Sequence, residues 1–262
     1  MASEEFTGDA FSISASMGGV KGVSCINKFG RNRDVDGAED IWGGGDIAAA
    51  SSEYTYQAAA GIHYISSSTA GAVDIEVQGL DANWDPQTVT VTLASTTKTQ
   101  IGTGETFIRI FRAKNVGATD LAGIVFIYED DTVSAGVPDT NTKIKAVING
   151  SDNQTLMAMY TIPNGKTGVL ADVTAGSDKG VTAGNAGAGV IIVQAREFGG
   201  VFQHKSTIPL SRDGGMVNHG YPEGKPTFPA KTDIKCRVEA IGVASSDVTA
   251  EFDLYLIDDG MF

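Results

Sequence analysis

The chain has 262 residues, 42% of them hydrophobic, and its 32 acidic against 19 basic residues give a formal charge of −13. That much apolar material fills a sizeable core and excludes a disordered chain. The acidic balance repels a phosphate backbone, and no apolar run reaches membrane-spanning length, so neither nucleic acid nor a membrane is an expected partner.

The first residues, MASEEFTGDAFSISASMGG, place acids where a secretory signal needs bases and lack an apolar stretch, which predicts a protein made in the cytoplasm. No periodicity shows before residue 50, so residues 1–50 are expected to form an irregular arm and residues 51–262 a β domain, with a weak subdivision near 133–141. Within the arm, Asn27 to Asp46 is the most polar stretch. Asp34, Asp36, Glu39 and Asp40 could gather hard oxygen ligands for a cation, although the spacing of a calcium loop is absent. Alternatively, Asp34 pairs with Arg31 or Arg33, and Trp42 anchors the arm on a surface, the three following glycines letting the chain turn closely. Cys25 and Cys236 have no metal-type spacing and read as two buried free thiols. DIAAASSEYTYQAAA, residues 46–60, is the best helical candidate, and its Ser and Tyr content makes it ambiguous.

Beyond residue 60 the apolar period is two. Val73, Ile75 and Val77 alternate with Asp74, Glu76 and Gln78, and Val89, Val91 and Leu93 with Thr88, Thr90 and Thr92, which predicts strands with one wet face. GIVFIY, Gly123 to Tyr128, and GVIIVQA, Gly189 to Ala195, are apolar on both sides and predict central strands under a second layer. Ile234, Cys236, Val238 and Ala240 face one way, with Lys235, Arg237 and Glu239 on the wet side, and Val248 to Leu256 forms the clearest half-buried strand. Turn-rich connectors such as GLDANWDPQ, DTVSAGVPDTNT and TAGSDKGVTAGNAGAG space the strands as in a sandwich, the last being low in complexity and expected to be mobile. The expected fold class is all-β, an antiparallel β-sandwich of jelly-roll-like form with an irregular N-terminal arm.

TIPNGKTGVL contains the G-K-T that closes a phosphate-binding loop. Such a loop needs a glycine where this chain has Tyr160, and no amphipathic helix follows, so Pro163, Asn164 and Gly165 predict a tight hairpin between two strands. No H-E-x-x-H, C-x-x-C or G-x-S-x-G occurs, and His63, His204 and His219 share no ligand spacing, His204 reading as a satisfied or interfacial residue. The pairs Asp130–Asp131 and Asp258–Asp259 read as solvated turn residues. No catalytic residue and no cofactor is assigned, and an enzyme is not expected.

KFGRNRDVDGAEDIWGGG, VDIEVQGLDANWDPQTVTVTL, TFIRIFRAKNV, TIPNGKTGVL and PAKTDIKCRVEA with DVTAEFDLYLID occur in this order. As an ordered set from Lys28 to Asp258, they resemble a family of β-rich virion structural proteins of tailed bacteriophages. The resemblance implies a capsid decoration or cement role for a protein made in the cytoplasm of a host bacterium, carries over no catalytic residue, and does not extend to the loops at 130–153 and 175–188. The acidic charge suits the outer capsid surface, with the major capsid protein as partner and a homo-oligomer, a trimer above all, matching a local three-fold site. A long spine helix of the common tailed-phage major capsid type is not expected, because no such period exists. Phe6, Phe11 and Trp42 are the expected lattice contacts, or else they cover their own sandwich. On the first reading, removal of residues 1–45 leaves the β fold intact. Another reading, a tail or fibre receptor-binding module, would stack host glycans on Trp84, Tyr54 or Tyr64, and a hydrolase on the same scaffold is a third.

Overall fold

The structure is a computed structural model that describes residues 9–178, 189–210, 215–221 and 225–261. It opens with the helix α1 (Asp9–Ser16) and the strand β1 (Val23–Val35). Next come β2 (His63–Ser67), β3 (Ala72–Leu80), β4 (Pro86–Ala94), β5 (Thr99–Gln100), β6 (Arg109–Asn115), β7 (Val125–Glu129), β8 (Val133–Ser134), β9 (Val137–Pro138) and β10 (Ile144–Ile148). The last group is β11 (Met159–Thr161), β12 (Lys166–Ser177), β13 (Val190–Glu197), β14 (Gln203–Pro209), β15 (Gly215–Gly220), β16 (Thr227–Phe228), β17 (Thr232–Ala240) and β18 (Ser246–Asp258).

These strands make two stacked-sheet bodies. In the first, one sheet runs β1-β18-β12-β15, with β16 beside β12, and the other runs β11-β17-β13-β14, every pair antiparallel. Numbered within that body and leaving out the short β16, the orders are 1-8-3-6 and 2-7-4-5, the double Greek key of a jelly roll. Its core joins Val248, Ala250, Phe252, Leu254 and Leu256 of β18 to Ile234, Cys236 and Val238 of β17 and Ile191 and Val193 of β13. The second body is inserted between β1 and β11. Its sheets run β10-β7-β2-β5 and β4-β3-β6, and its core holds Ile75, Val77, Phe107, Phe126 and Tyr128. The chain re-enters the jelly roll through a stretch that serves both cores: Met157 and Met159 point into the insert, Ala158, Tyr160 and Ile162 into the jelly roll.

The all-β antiparallel sandwich is as expected; β3, β4 and β18 fall where period two places them, and β7 and β13, the doubly apolar runs, each lie between two neighbours. The arm differs. Residues 23–35 form a strand of 13 residues whose register with β18 runs from Val23↔Ile257 to Asn32↔Val248, and α1 precedes it. Its positions paired with the core residues of β18 are Ser24, Ile26, Lys28, Gly30 and Asn32, so the apolar alternation that announces a strand is missing. Residues 46–60 form no helix. They lie as turns and extended chain, with Tyr54 buried. Residues 133–141, the expected weak subdivision, contain the β8–β9 ribbon, whose Val133 and Val137 pack on the insert core.

The turn at Pro163 to Gly165 is not a hairpin. Gly165 does take the positive φ of +69°, but β11 pairs with β17 and β12 with β18, so the chain crosses from one sheet to the other. The turn is pinned from both sides, Asn164 N–H donating to the Trp84 carbonyl and Asp259 N–H to that of Gly165. The end of the low-complexity connector, residues 179–188, lies outside the described residues.

Candidate functional site

The densest chemistry in the molecule lies where the two sandwiches meet, on the face of β17 turned away from the jelly-roll core. Alternation sends Ile234, Cys236 and Val238 inward and Asp233, Lys235 and Arg237 outward. That outer face, expected to be wet, is covered by residues 38–57, by Arg109 of β6 and by Phe202, and Asp233 and Lys235 are buried.

Asp233 is the hub. Arg109 grips it in a two-pronged pair, Nε to Oδ1 at 2.7 Å and Nη2 to Oδ2 at 2.9 Å, while Thr161 Oγ1 donates at 2.7 Å and Arg196 Nε at 3.2 Å. The second terminal nitrogen of Arg109 donates to the carbonyls of Gln57 and Ile108, both at 2.7 Å. Asp40 is the second hub, receiving Lys235 Nζ at 2.6 Å, the Tyr54 N–H at 2.8 Å and Arg237 at 3.3 Å. Arg237 then reaches Glu53 at 2.6 Å. Burial pushes the Lys235 amine below its usual range, and the Asp40 carboxylate opposes that shift.

Aromatic rings fill the spaces between these charges. Tyr56 lies 5.1 Å from the Arg109 guanidinium and 4.6 Å from that of Arg196; Phe202 lies 4.5 Å from Arg196 and 4.7 Å from the Lys235 amine. Trp84 faces Arg109 at 5.0 Å and meets Phe198 edge-on, and Tyr54 stands edge-on to both Tyr56 and Trp42. Cations held over ring faces in a desolvated space gain more than they would in water. The hydrogen bonds saturate the hub carboxylates and Arg109, and the Tyr56 hydroxyl beside them is buried without a hydrogen-bond partner among the described residues. The arrangement acts as a clamp: the Arg109–Asp233 pair ties β6 of the insert to β17 of the jelly roll, and removing either partner alone leaves the other as an uncompensated buried charge.

The four candidate cation ligands do not converge. Asp40 is the hub just described; Glu39 accepts from the Asn32 amide and the Asp36 N–H; Asp36 accepts from the Ser245 N–H; Asp34 is exposed. Among the described residues, no group of three His, Cys, Asp or Glu is placed to hold a metal ion. Arg31 and Arg33 take other partners than Asp34, namely Asp247 for Arg31 and both Asp46 and Asp152 for Arg33. Of the expected lattice contacts, Phe6 lies outside the described residues. Phe11 sits edge-on to Tyr255 of its own jelly roll, with ring centroids 5.5 Å apart, so it covers β18. Trp42 is 1% exposed in the insert core and cannot reach a partner, because its ring is what Tyr54 packs against.

Trp84 and Tyr54 are likewise buried, and Tyr64 is stacked on Tyr128 with the Lys98 amine 4.1 Å from its ring. His63 is buried against the carbonyl of Gly61, whereas His204 is exposed and His219 leans on Tyr221. Cys236 is a buried free thiol, pushed up to about 12 by desolvation, and Cys25 is half-buried.

No family model and no curated sequence matches the chain. Among solved structures, it is similar to that of infectious bursal disease virus Gx strain at 11% identity, over 92% of this chain and 72% of that one, with a TM-score of 0.24. The Gt strain of the same virus gives 11% identity, 92% and 74% coverage and a TM-score of 0.23.

The sequence pattern did not single out Asp233, Arg109 or Arg196. The available signal was weak: charged residues alternating with apolar ones on β17 look the same whether the polar face meets water or a second domain.

Proposed function

We propose that the protein is a non-enzymatic virion structural protein, a decoration or cement protein that sits on the outer capsid surface and bridges neighbouring major capsid subunits. The observation that carries the reading is the clamp at Asp233. It joins a jelly roll to an inserted sandwich through the buried Arg109–Asp233 pair, which suits a part that transmits load and does not suit a hinge. Jelly rolls occur in viral shells and in lectin domains, and the ordered segments from Lys28 to Asp258 resemble virion structural proteins of tailed bacteriophages. The charge of −13 favours the outer over the DNA-facing side of a shell. On such a surface a homotrimer at a local three-fold site would present the same attachment patch three times, gaining avidity without new contacts.

Quantitative mass spectrometry of purified virions tests this, with the major capsid protein as internal standard. A simple lattice ratio supports a decoration protein; a handful of copies per particle points to a tail module, and absence from virions overturns the reading.

The strand order favours one other reading, that the chain builds a shell itself. Purified protein that closes into particles without any other component would support it.

A further inference from the structure

The buried cations of the described residues follow a rule with one exception. Arg109 is paired with Asp233, Lys145 with Glu129 and Lys235 with Asp40. Lys28, 7% exposed, has no carboxylate: its amine donates to the Phe111 carbonyl and lies 5.5 Å from the Phe111 ring. The neighbouring charge is Arg112, of the same sign, which forms no ion pair and reaches only the Gln154 amide at 3.4 Å. Burial, with Arg112 adding to it, holds the Lys28 amine down at about 7. Neither cation is ion-paired among the described residues, since Glu76, the carboxylate that Arg112 acts on, is held by Lys114 at 3.0 Å, and this in a chain whose net charge is −13.

The two cations line a groove of about 710 Å³ between the jelly roll and the insert, floored by Phe111, Tyr160 and Leu256 and flanked by Gln87. One wall is β1 itself, residues 24–29 in unbroken succession. Among the described residues β1 pairs with β18 on one side and with no strand on the other, so alternate N–H and C=O groups along its free edge have no ladder partner there. The stretch that lines the groove stops at Phe29, and at Gly30 the inner face of β1 packs directly on the backbone of Ile41 and Ala158. The open stretch is therefore short and bounded, and the Lys28 and Arg112 cations sit beside it.

We propose that this groove binds an extended acidic segment of a partner protein, which adds as a strand to the free edge of β1 and places an aspartate or glutamate against Lys28 and Arg112. Backbone hydrogen bonds supply the attachment, and the carboxylate supplies the selectivity. The site stands independently of the virion reading, since it rests only on the groove and its charges.

The test uses the full chain and an eight-residue probe peptide of alternating valine and threonine with one central glutamate, followed by calorimetry and amide hydrogen exchange. Saturable binding that protects residues 24–29 is expected, with affinity falling about tenfold or more for the glutamine counterpart of the peptide and for Lys28→Met. Lys28→Met removes a buried unpaired amine and should fold at least as well as the parent, so lost binding is not lost structure. A peptide N-methylated at alternate residues should fail to bind. Equal binding of the N-methylated peptide, of the glutamine peptide or of inorganic phosphate alone would overturn the proposal, as would no binding by the glutamate peptide.

Discussion

Arg109 and Asp233, which belong to different sandwiches, are joined by two parallel hydrogen bonds of 2.7 and 2.9 Å in a site closed to water. Asp233→Ala strands Arg109 and Arg196 without their shared anion, and a loss of about 3–5 kcal/mol is expected by urea denaturation. The apolar double variant Arg109→Met with Asp233→Leu should recover part of that loss, because it removes the buried charge with its partner. If Asp233→Ala melts like the parent, the clamp contributes nothing.

His63 gives a signed dependence on acid. Burial lowers it from 6.5 to about 4, with the Gly61 carbonyl opposing that shift and Lys145 adding to it more weakly than Glu129 opposes it. The folded protein therefore stays neutral there while the unfolded chain takes up a proton, and stability falls as pH drops from 6.5 to 4, by about 3 kcal/mol at most. His63→Gln should flatten that limb of the stability–pH curve, and an unchanged slope would assign the acid sensitivity elsewhere.

Gly30 is set by contact and not by its backbone angles. A Cβ there would lie 2.2 Å from the Ala158 nitrogen and 2.5 Å from the Ile41 oxygen, and both atoms are backbone. Gly30→Ala should cost about 3 kcal/mol, at the upper end of what overpacking does, since neither neighbour can rotate away. A thermal melt within 2 °C of the parent would show that β1 can lift off its neighbours.

The N-terminal region divides sharply in its expected tolerance to deletion. Removing residues 1–18 takes away α1 and its contact with Tyr255 but leaves β1 whole, and the β circular-dichroism signal should persist. Removing residues 1–45 takes away the strand beside β18 along with Ile41 and Trp42, and the protein should not fold. This reverses the outcome expected of an irregular arm; a folded 46–262 fragment would restore it.

What the sequence made legible was whatever depended on neighbours in the chain. β3, β4 and β18 carry an unbroken alternation, and β7 and β13 the doubly apolar runs of covered strands. β1 was hidden because Lys28, Gly30 and Asn32 among its inward positions are not apolar, Lys28 meeting the Phe111 carbonyl, Gly30 making a close approach and Asn32 bonding to Glu39. The turn at Gly165 had the right residues for a hairpin, yet nothing local says which sheet the next strand joins. The clamp was illegible for the same reason: Asp233 and Arg109 become a pair only once the insert is folded down on β17.

The insertion also fixes an order of events. All strands of the second sandwich lie between His63 and Ile148 and can pair among themselves while the chain is still being synthesised. β1, made before any of them, waits roughly two hundred residues for β18, a closure of high contact order and hence slow. Until then its free backbone is exposed on both edges, which makes the nascent jelly roll the step at which a chaperone, or a second unfinished copy, competes for it.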